Sequence, residues 1–254
     1  MMARRRDGGQ RGRNWMLKTI LFDLDGTLLP MDQDLFTKAY FQRLAQKLIP
    51  HGYEPKALVD GIWAGTAAMV KNDGTRTNEE AFWKRFSEIF GEKSLEDRPV
   101  LDEYYRQEFQ EVAGVCGYNP KAKETVEQLR QAGLRLALAT NPIFPAVATE
   151  SRIRWAGLTP EDFVLYTTYE NIGWCKPNPE YYRELLRRLE CPAEECLMVG
   201  NDAKEDMIAQ SVGMKVFLLT DCLINREEAD LSAFPQGGFD ELLDYIQREN
   251  SAEG

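Results

Sequence analysis

The sequence predicts an α/β protein in which a doubly wound parallel sheet is interrupted by a helical insert. Short apolar runs alternate with helical segments after about residue 119, an order that is typical of βαβ units and a parallel sheet. One earlier apolar run, Thr19–Phe22, stands alone near the start of the chain. A long region with helical spacing, roughly 33–113, separates this first strand from the rest.

Composition and charge restrict the class of partner. The chain has 254 residues, of which 43% are hydrophobic, and a formal net charge of -10. This length is enough for a core domain and a smaller second one. No apolar run reaches the ~18–20 residues of a membrane helix. Because an acidic body repels nucleic acid and anionic lipid, we expect a small-molecule partner, no nucleic acid and no membrane.

The first 17 residues form a segment of different composition. They contain five arginines and one acid, Asp7. No apolar stretch of the kind found in secretory signals follows them. We interpret residues 1–17 as a basic, disordered leader.

The cysteines predict the compartment. The chain has 5 cysteines, an odd number, and no two of them form a CxxC pair. Free thiols in a reducing environment fit this pattern better than a disulfide framework does. We therefore predict a cytoplasmic protein with free cysteines.

The core elements follow one another in a regular order. The predicted strands are Thr19–Phe22, 134–140, 163–168, Cys196–Gly200 and 216–219, and the predicted helices are 120–132 and 179–190. Gly133 is the stop signal of the first of these helices. Asn178 and Pro179 are the start signal of the second, as N-cap and first helical residue.

The insert is predicted to be helical throughout and to cover residues 31–117, which leaves residues 18–30 and 118–254 for the core. Its clearest helix begins with Thr77 and Glu80, a capping box, and stops at Gly91. The aromatic residues of the insert, Trp63 and Trp83 among them, are expected to form its own apolar core. The insert leaves the sheet at the carboxyl end of the first strand, which is where open α/β sheets bind ligands.

The first candidate motif follows the first strand directly. Asp23 and Asp25 are two residues apart, and a carboxylate held beside a cation can attack phosphorus and form an acyl phosphate. A second carboxylate can protonate the leaving oxygen and later deprotonate water. Two close anions repel unless a divalent cation holds them. Gly26 allows an unusual turn, and the Thr27 hydroxyl can bind a phosphoryl oxygen.

Two further motifs are weak evidence for a phosphoryl-binding site when each is taken alone. Thr140 and Asn141 end the strand after the insert, where a hydroxyl and an N–H can bind a phosphoryl oxygen. Lys176 precedes Pro177 in a proline-rich turn and supplies a fixed positive charge that can neutralise a transferring phosphoryl group. A solvated lysine and a plain turn are the structural alternatives.

The fourth motif follows strand Cys196–Gly200. Asn201, Asp202 and Asp206 place oxygen ligands at the tip of a strand, and such ligands suit a hard cation such as Mg²⁺. The acids are expected to open a helix, where they would also act as ordinary helix caps. All four motifs are predicted to lie at carboxyl ends of core strands.

In type and order, these motifs resemble the haloacid dehalogenase superfamily over about residues 18–220. The family pattern of a strand followed by DxDGT is matched by residues 23–27. The second motif, a Ser or Thr at a strand end, is matched by Thr140. The third, a lysine before a helix, is matched by Lys176, and the fourth, an acidic loop, by residues 200–206.

The resemblance implies a Rossmann-like core with a helical cap, for which residues 31–117 are the candidate. It implies Asp23 as a nucleophile that becomes an aspartyl-phosphate, and Asp25 as general acid and base. It also implies Mg²⁺ held by the Asp23 carboxylate, the Asp25 main-chain carbonyl and a side chain of the acidic loop. Asp206 matches the later acid of the family, which orients Lys176 or metal-bound water.

The sequence departs from the family pattern at Asn201, where an aspartate commonly follows the glycine. An amide oxygen is neutral and a weaker ligand for Mg²⁺ than a carboxylate. Either Asn201 or Asp202 is therefore a candidate ligand.

The resemblance favours Mg²⁺-dependent hydrolysis of a small phosphomonoester, with a phosphorylated metabolite as the partner. A phosphosugar mutase has the same motifs, and a catalytically silent binding protein of the same fold is the alternative from another class. A 2-haloacid dehalogenase would need neither Asp25 nor Mg²⁺. The sequence leaves the substrate and the oligomeric state open.

Overall fold

Six parallel strands form one sheet at the centre of the protein. The computed structural model describes residues 16–251. The strands are β1 (Thr19–Phe22), β2 (Arg135–Leu138), β3 (Leu165–Tyr166), β4 (Cys196–Gly200), β5 (Lys215–Leu219) and β6 (Gln236–Gly237). They are ordered β3-β2-β1-β4-β5-β6, and each neighbouring pair is parallel. The predicted doubly wound sheet is therefore confirmed.

The strands are buried because helices cover the sheet. All four residues of β1 and all five of β4 are buried, as expected for apolar strands with both faces covered. The predicted bounds of β1 and β4 match the structure, whereas β2 and β3 are shorter than the apolar runs 134–140 and 163–168. In these two runs the residues next to the strands belong to loops.

Nine α-helices lie in the described part of the chain. They are α1 (Gln33–Leu48), α2 (Pro55–Val70), α3 (Asn78–Phe90), α4 (Lys93–Glu96), α5 (Arg98–Arg106), α6 (Pro120–Gln131), α7 (Ala146–Trp155), α8 (Pro179–Leu189) and α9 (Phe239–Ser251). Short 3₁₀ helices occupy Ile49–His51, Glu108–Val115, Pro160–Asp162, Ala193–Glu195 and Met207–Val212. Among residues 16–251, no helix is both long and apolar enough to cross a membrane.

Local signals in the sequence start and stop these helices. The Thr77 side chain accepts a hydrogen bond from the Glu80 N–H, and the Glu80 carboxylate accepts one from the Thr77 N–H, so the predicted capping box is present. Gly91 ends the same helix with a positive φ of 74°. Asn178 caps α8, with Pro179 as its first residue, as predicted.

The helices α1 to α5 form the insert between β1 and α6, in the place where the sequence predicts a cap. Where the insert joins the core, Met31 and Cys116 form an antiparallel bridge, and the Gly117 N–H donates to the Pro30 carbonyl at 2.7 Å. The two connections therefore lie side by side. The predicted boundaries at residues 30/31 and 117/118 fall on this junction and stay a prediction.

The cap is also fastened to the core by a loop, residues 72–79. Main-chain N–H groups of Gly74, Asn78 and Glu79 donate to carbonyls of a core segment, residues 169–175, at 2.7–3.1 Å. The side chain of Asn78 is fully buried and donates to the Pro142 carbonyl at 3.1 Å. The insert is thus held to the core at a second place, far in sequence from its connections.

The predicted leader falls mostly outside the described residues, which begin at residue 16. Leu17 was assigned to that leader, but it is 1% exposed and its N–H donates to Asn250 Oδ1 at 2.8 Å. The packed body therefore begins earlier than residue 18. The five cysteines are free thiols, as predicted, and a cytoplasmic location stays a prediction.

Candidate active site

The candidate site lies where the strand order changes direction. Strand β1 has β2 on one side and β4 on the other, so the polypeptide leaves β1 between two strands that lead to opposite halves of the sheet. Such a switch point opens a crevice at the carboxyl edge of a parallel sheet. The Asp23 N–H donates to the Val199 carbonyl at 2.9 Å, which fixes this residue to the sheet.

A tight turn follows Asp23. The Leu29 N–H donates to the Leu24 carbonyl at 2.9 Å, and the Gly26 N–H donates to the Leu29 carbonyl at 2.8 Å. Gly26 has a φ of +87°, and a Cβ at this position would overlap the side-chain amide of Asn201. Only glycine suits this turn, because it tolerates both the left-handed backbone and the close approach.

The Asp23 carboxylate is held from two sides. Lys176 Nζ donates to Oδ1 at 2.8 Å, and the Thr27 hydroxyl lies 3.3 Å from Oδ2. Asp23 is 7% exposed, and it lines a cavity. Oδ1 of Asp23 is thus bound by the Lys176 ammonium group, whereas Oδ2 has only a long hydrogen bond from Thr27.

Lys176 is buried between two carboxylates, Asp23 and Asp206. Its Nζ lies 2.6 Å from Asp206 Oδ1, and the residue is 2% exposed. Burial alone would lower the pKa of Lys176, but the charges of Asp206 and Asp23 raise that pKa well above its ordinary value. The ammonium therefore stays charged and fixes both carboxylates.

Asp25 pairs with a residue that the sequence analysis did not identify, Arg152 of α7. The guanidinium binds Asp25 Oδ2, and Asp25 Oδ1 is buried without a hydrogen-bond partner. Burial raises the pKa of Asp25, the Arg152 charge opposes this shift, and the charge of Asp23 adds to it. Arg152 is 1% exposed and stacks on Phe144 at 4.4 Å. The sequence gives no signal for this pair, because Arg152 and Asp25 are 127 residues apart in the chain.

The fourth motif differs from its predicted form. The residues after β4 form turns, and the helix that follows is a 3₁₀ helix, Met207–Val212, so the acids do not open an α-helix. The Asn201 amide oxygen accepts the Thr27 hydroxyl at 2.9 Å, and its Nδ2 donates to the Cys222 carbonyl at 2.7 Å. Asp202 Oδ1 accepts the N–H groups of Lys204 and Glu205. These local bonds stabilise the turn in place of a helix.

Asp206 uses both of its oxygens within the protein. Oδ1 binds Lys176, and Oδ2 accepts the Asp202 N–H at 2.9 Å. A Cβ at Gly200 would overlap this carboxylate, so glycine is needed here for a close approach. The arrangement matches a role in orienting Lys176.

Thr140 and Asn141 lie in the loop after β2, which ends at Leu138, and both line the cavity. That they bind a phosphoryl oxygen stays a prediction. The Thr140 carbonyl accepts hydroxyls of Thr167 and Tyr181 at 2.7 and 2.9 Å, which fixes this strand end. Asn141 Nδ2 donates to Glu205 Oε2 at 3.0 Å, and its Oδ1 is buried without a partner.

Glu205 is a second residue that the sequence analysis did not single out. It lies next to Asp206 in the acidic loop and lines the cavity. Burial raises the pKa of Glu205 to about 7, Lys176 opposes this shift, and neighbouring carboxylates including Asp206 add to it. The sequence offers no signal that separates Glu205 from the other acids of the loop.

The residues fit a hard cation by the chemistry of their donors. Among residues 16–251, no group of three or more His, Cys, Asp or Glu side chains is arranged to hold a metal. The Mg²⁺ ligands that the family resemblance implies do not require three such side chains. They are the Asp23 carboxylate, the Asp25 main-chain carbonyl and one side chain of the acidic loop. Mg²⁺ commonly takes one or two carboxylates and completes its shell with water and substrate phosphate.

One cavity of about 420 Å³ joins these residues to the cap. Its lining includes seven of the predicted site residues, Asp23, Asp25, Thr140, Asn141, Asn201, Asp202 and Asp206. The other three predicted site residues, Gly26, Thr27 and Lys176, do not line the cavity. They contact Asp23 or Asn201, which do. The prediction that the cap aromatics form only an internal core is wrong for Trp63, which is 51% exposed and lines the cavity. Helical spacing alone does not reveal which side of a helix faces a cavity.

The sequence matches a known family and known proteins. A family model for haloacid dehalogenase-like hydrolases matches residues 17–211. The ribulose-1,5-bisphosphate 5-phosphatase of Halopiger xanaduensis is 32% identical over 210 residues, which cover 80% of this chain and 84% of that protein. The phosphoglycolate phosphatase of Vibrio parahaemolyticus is 27% identical over 204 residues, which cover 80% of this chain and 84% of that protein.

Solved structures share the fold. A 2-haloacid dehalogenase from Pseudomonas syringae pv. Tomato has a TM-score of 0.60 at 22% identity, covering 92% of this chain and 99% of that one. A predicted phosphoglycolate phosphatase from Haemophilus somnus has a TM-score of 0.54 at 20% identity, covering 93% of this chain and 100% of the other. At these identities the likeness supports the architecture alone.

Proposed function

This chain belongs to the haloacid dehalogenase-like hydrolases and is an enzyme of the phosphatase type, and from this premise we propose that it hydrolyses a small phosphomonoester with Mg²⁺ through an aspartyl-phosphate on Asp23. The observation that carries the proposal is the state of the Asp23 carboxylate. It lies at the carboxyl end of β1, faces the cavity and has one oxygen bound to Lys176. The other oxygen, Oδ2, has one long contact to a hydroxyl and is the candidate nucleophile.

In the first half of the reaction, Asp23 Oδ2 attacks phosphorus and the bond from phosphorus to the alcohol oxygen breaks. Lys176 keeps its charge and holds Oδ1, which orients the carboxylate. Asp25 gives a proton to the leaving oxygen. Burial raises the pKa of Asp25 above its ordinary value, although Arg152 opposes the shift, and Oδ1 is the oxygen without a partner that could carry the proton.

In the second half, a water attacks phosphorus and the bond from phosphorus to Asp23 breaks. Asp25 takes the proton of that water and returns to its starting state. The Arg152 guanidinium holds Asp25 Oδ2 throughout, so that Oδ1 is left for proton exchange. Phosphate leaves, and the Asp23 carboxylate is free for another cycle.

The residues that would hold Mg²⁺ are Asp23, the main-chain carbonyl of Asp25, and Asn201 or Asp202. When bound there, the cation would neutralise charge on the phosphoryl oxygens and on the two close aspartates. Asn201 already accepts the Thr27 hydroxyl, and Asp202 still has an oxygen outside its turn. Asp206 would act through Lys176, because both of its oxygens are occupied.

The test is phosphate release from methyl phosphate and benzyl phosphate, with Mg²⁺ and with a chelator. Wild type is expected to release phosphate only with Mg²⁺, and Asp23→Asn should reduce the rate by about 10⁴-fold or more, because an amide is a poor nucleophile. Asp34→Asn is the matched control. It removes a carboxylate at the mouth of the same cavity, and its rate should stay within about threefold of wild type. Equal rates in wild type and Asp23→Asn would refute the mechanism.

A further inference from the structure

The cap end of the cavity is a wall of aromatic side chains. Four helices of the cap, α1, α2, α3 and α5, contribute to it, and its main rings are Phe36, Tyr40, Phe41, Phe82, Trp83 and Tyr105. Neighbouring rings contact one another, with centroids 5.4 Å apart for Phe41 and Trp63 and for Phe82 and Trp83. A wall of this kind binds a partner through apolar contact and ring stacking.

Three hydroxyl groups of this wall, those of Tyr40, Tyr105 and Thr66, are already used within the protein. The hydroxyls of Tyr40 and Tyr105 lie 2.9 Å apart and bond to each other. The Thr66 hydroxyl donates to the Ile62 carbonyl of its own helix at 3.0 Å. A ligand with many hydroxyls would therefore meet few free partners in this part of the cavity.

The charges at the cap end are unfavourable to an anion. Asp102 lines the cavity from α5, and Asp34 of α1 lies at its mouth, since it also lines an outer groove. Among the described residues that line it, Arg226 is the one Lys or Arg. Arg226 lies at the mouth, since it also lines an outer groove, and its Nη2 donates to Gln33 Oε1 at 3.1 Å.

Acidic side chains also lie behind the wall. Tyr169 of the core segment lines the cavity, and burial raises the pKa of this tyrosine; a hydrogen bond with Trp83 opposes the shift, and nearby carboxylates, Glu79 first among them, add to it. The cation in contact with the wall is Arg98, which stacks on Trp83 at 4.3 Å from the ring centroid, but it lies outside the cavity lining and pairs with Glu79 at 3.6 Å. An anionic group placed against this wall would therefore lose its hydration without gaining an unpaired cation from the lining of the wall.

We infer, on the basis of the proposed function, that the alcohol part of the substrate is apolar and carries no second negative charge. The transferred phosphoryl group has its own partners at the core end. The rest of the molecule meets aromatic faces, paired hydroxyls and acidic side chains.

This substrate class differs from the compounds in the names of two relatives. Phosphoglycolate carries a carboxylate, and ribulose-1,5-bisphosphate carries a second phosphate. Either group would need a cation at the far end of the cavity. Identity of 27–32% leaves room for the cap to have a different lining.

The first measurement compares benzyl phosphate with 4-carboxybenzyl phosphate for wild type with Mg²⁺. The two esters have similar leaving groups and differ by one negative charge. We expect kcat/KM to be at least about tenfold higher for benzyl phosphate, because the carboxylate is desolvated against the wall. Phosphoglycolate is expected to be a poorer substrate than benzyl phosphate by a similar factor.

A pair of variants locates the effect. Thr66→Lys adds a cation to the cavity wall, whereas Ala67→Lys adds one at the next position of α2, which is exposed and outside the lining. Thr66→Lys should reduce the preference for benzyl phosphate by up to about fivefold through a new ion pair. Ala67→Lys should leave the preference unchanged. An equal effect of both variants would contradict binding of the alcohol part at this wall.

The outcomes separate the two proposals. Release that depends on Mg²⁺ and on Asp23, but is equal or faster for 4-carboxybenzyl phosphate, would overturn the inferred substrate class and leave the proposed function standing. Release from neither ester nor from methyl phosphate would refute the proposed function, and the substrate class would fall with it.

Discussion

The two ends of the cavity differ in chemical character: buried ion pairs form one end, and aromatic rings form the other. At the core end, buried charges are paired across the fold, as Lys176 is with Asp23 and Asp206, and Arg152 with Asp25. At the cap end, the rings of neighbouring helices pack together and supply most of the lining. The core end is suited to a charged group that is the same in every phosphomonoester. The cap end is suited to the part that varies.

The difference has a physical cause in how the residues come together. Asp23, Lys176 and Asp206 are distant in sequence and meet because parallel strands end at one edge of the sheet. The Lys176 charge is stabilised by both carboxylates, and each carboxylate is stabilised by Lys176. The effects of substitutions at these three residues on the free energy of unfolding are therefore expected to be strongly non-additive. The rings of the cap come from adjacent helices, and a change at one of them affects mainly its own contacts.

The largest effect is expected for Lys176→Met, which leaves two buried carboxylates without their cation. The free energy of unfolding should fall by about 3–5 kcal/mol, and phosphate release should fall by about 10²-fold or more. Chemical denaturation and steady-state kinetics measure the two quantities. In the double variant Lys176→Met with Asp206→Asn, stability should recover in part while activity stays low. A single variant with wild-type stability would mean that the two carboxylates do not depend on this lysine.

A smaller effect is expected in the cap for Gly65→Ala. A Cβ at Gly65 of α2 would overlap the Phe82 ring of α3, so the ring or the two helices must shift. The free energy of unfolding should fall by about 2 kcal/mol, a typical cost of overpacking, with kcat for methyl phosphate near the wild-type value. Gly114→Ala is the control, because no atom lies near its Cβ position. A large loss of kcat in Gly65→Ala would show that the two ends are coupled.

The smallest effect concerns Glu205 and pH. Burial raises its pKa from an ordinary 4.5 to about 7 in the folded protein. The folded state therefore holds the proton more tightly than the unfolded state, and this stabilisation is lost as pH rises toward and through about 7. Between pH 6 and pH 8, without Mg²⁺, the free energy of unfolding of wild type should fall by about 1 kcal/mol more than that of Glu205→Gln.

Denaturant titrations at the two pH values give this difference directly. Glu124→Gln, which changes an exposed carboxylate on α6, is the matched control and should follow wild type. A Glu205→Gln variant that loses as much stability as wild type would indicate an ordinary pKa for Glu205.

The sequence was most informative where structure depends on neighbouring residues. The capping box of Thr77, the start of α8 at Asn178 and the strand Cys196–Gly200 were all predicted, because propensity and apolar patterning act locally. The resemblance to the family supplied the order of the site residues, and the structure brings seven of them to one cavity.

Features that depend on distant contacts were missed. Arg152 looks like an ordinary helical arginine until α7 is placed beside the turn that carries Asp25. Trp63 has the spacing of a core residue, but its face of α2 meets a cavity. A 3₁₀ helix follows Asp206, where the sequence predicted the start of a helix among the acids. The Asp202 carboxylate accepts the Lys204 N–H, and the Asp206 carboxylate binds Lys176, so that these acids stabilise turns.

The fastening of the cap loop, residues 72–79, to the core segment 169–175 can be followed at single amides. The main-chain N–H groups of Gly74, Asn78 and Glu79 donate to core carbonyls, so they exchange with solvent when the loop leaves the core or when the protein unfolds. Their hydrogen-exchange rates, compared with those of amides in the central strands, would therefore report how often the cap separates from the core at this point.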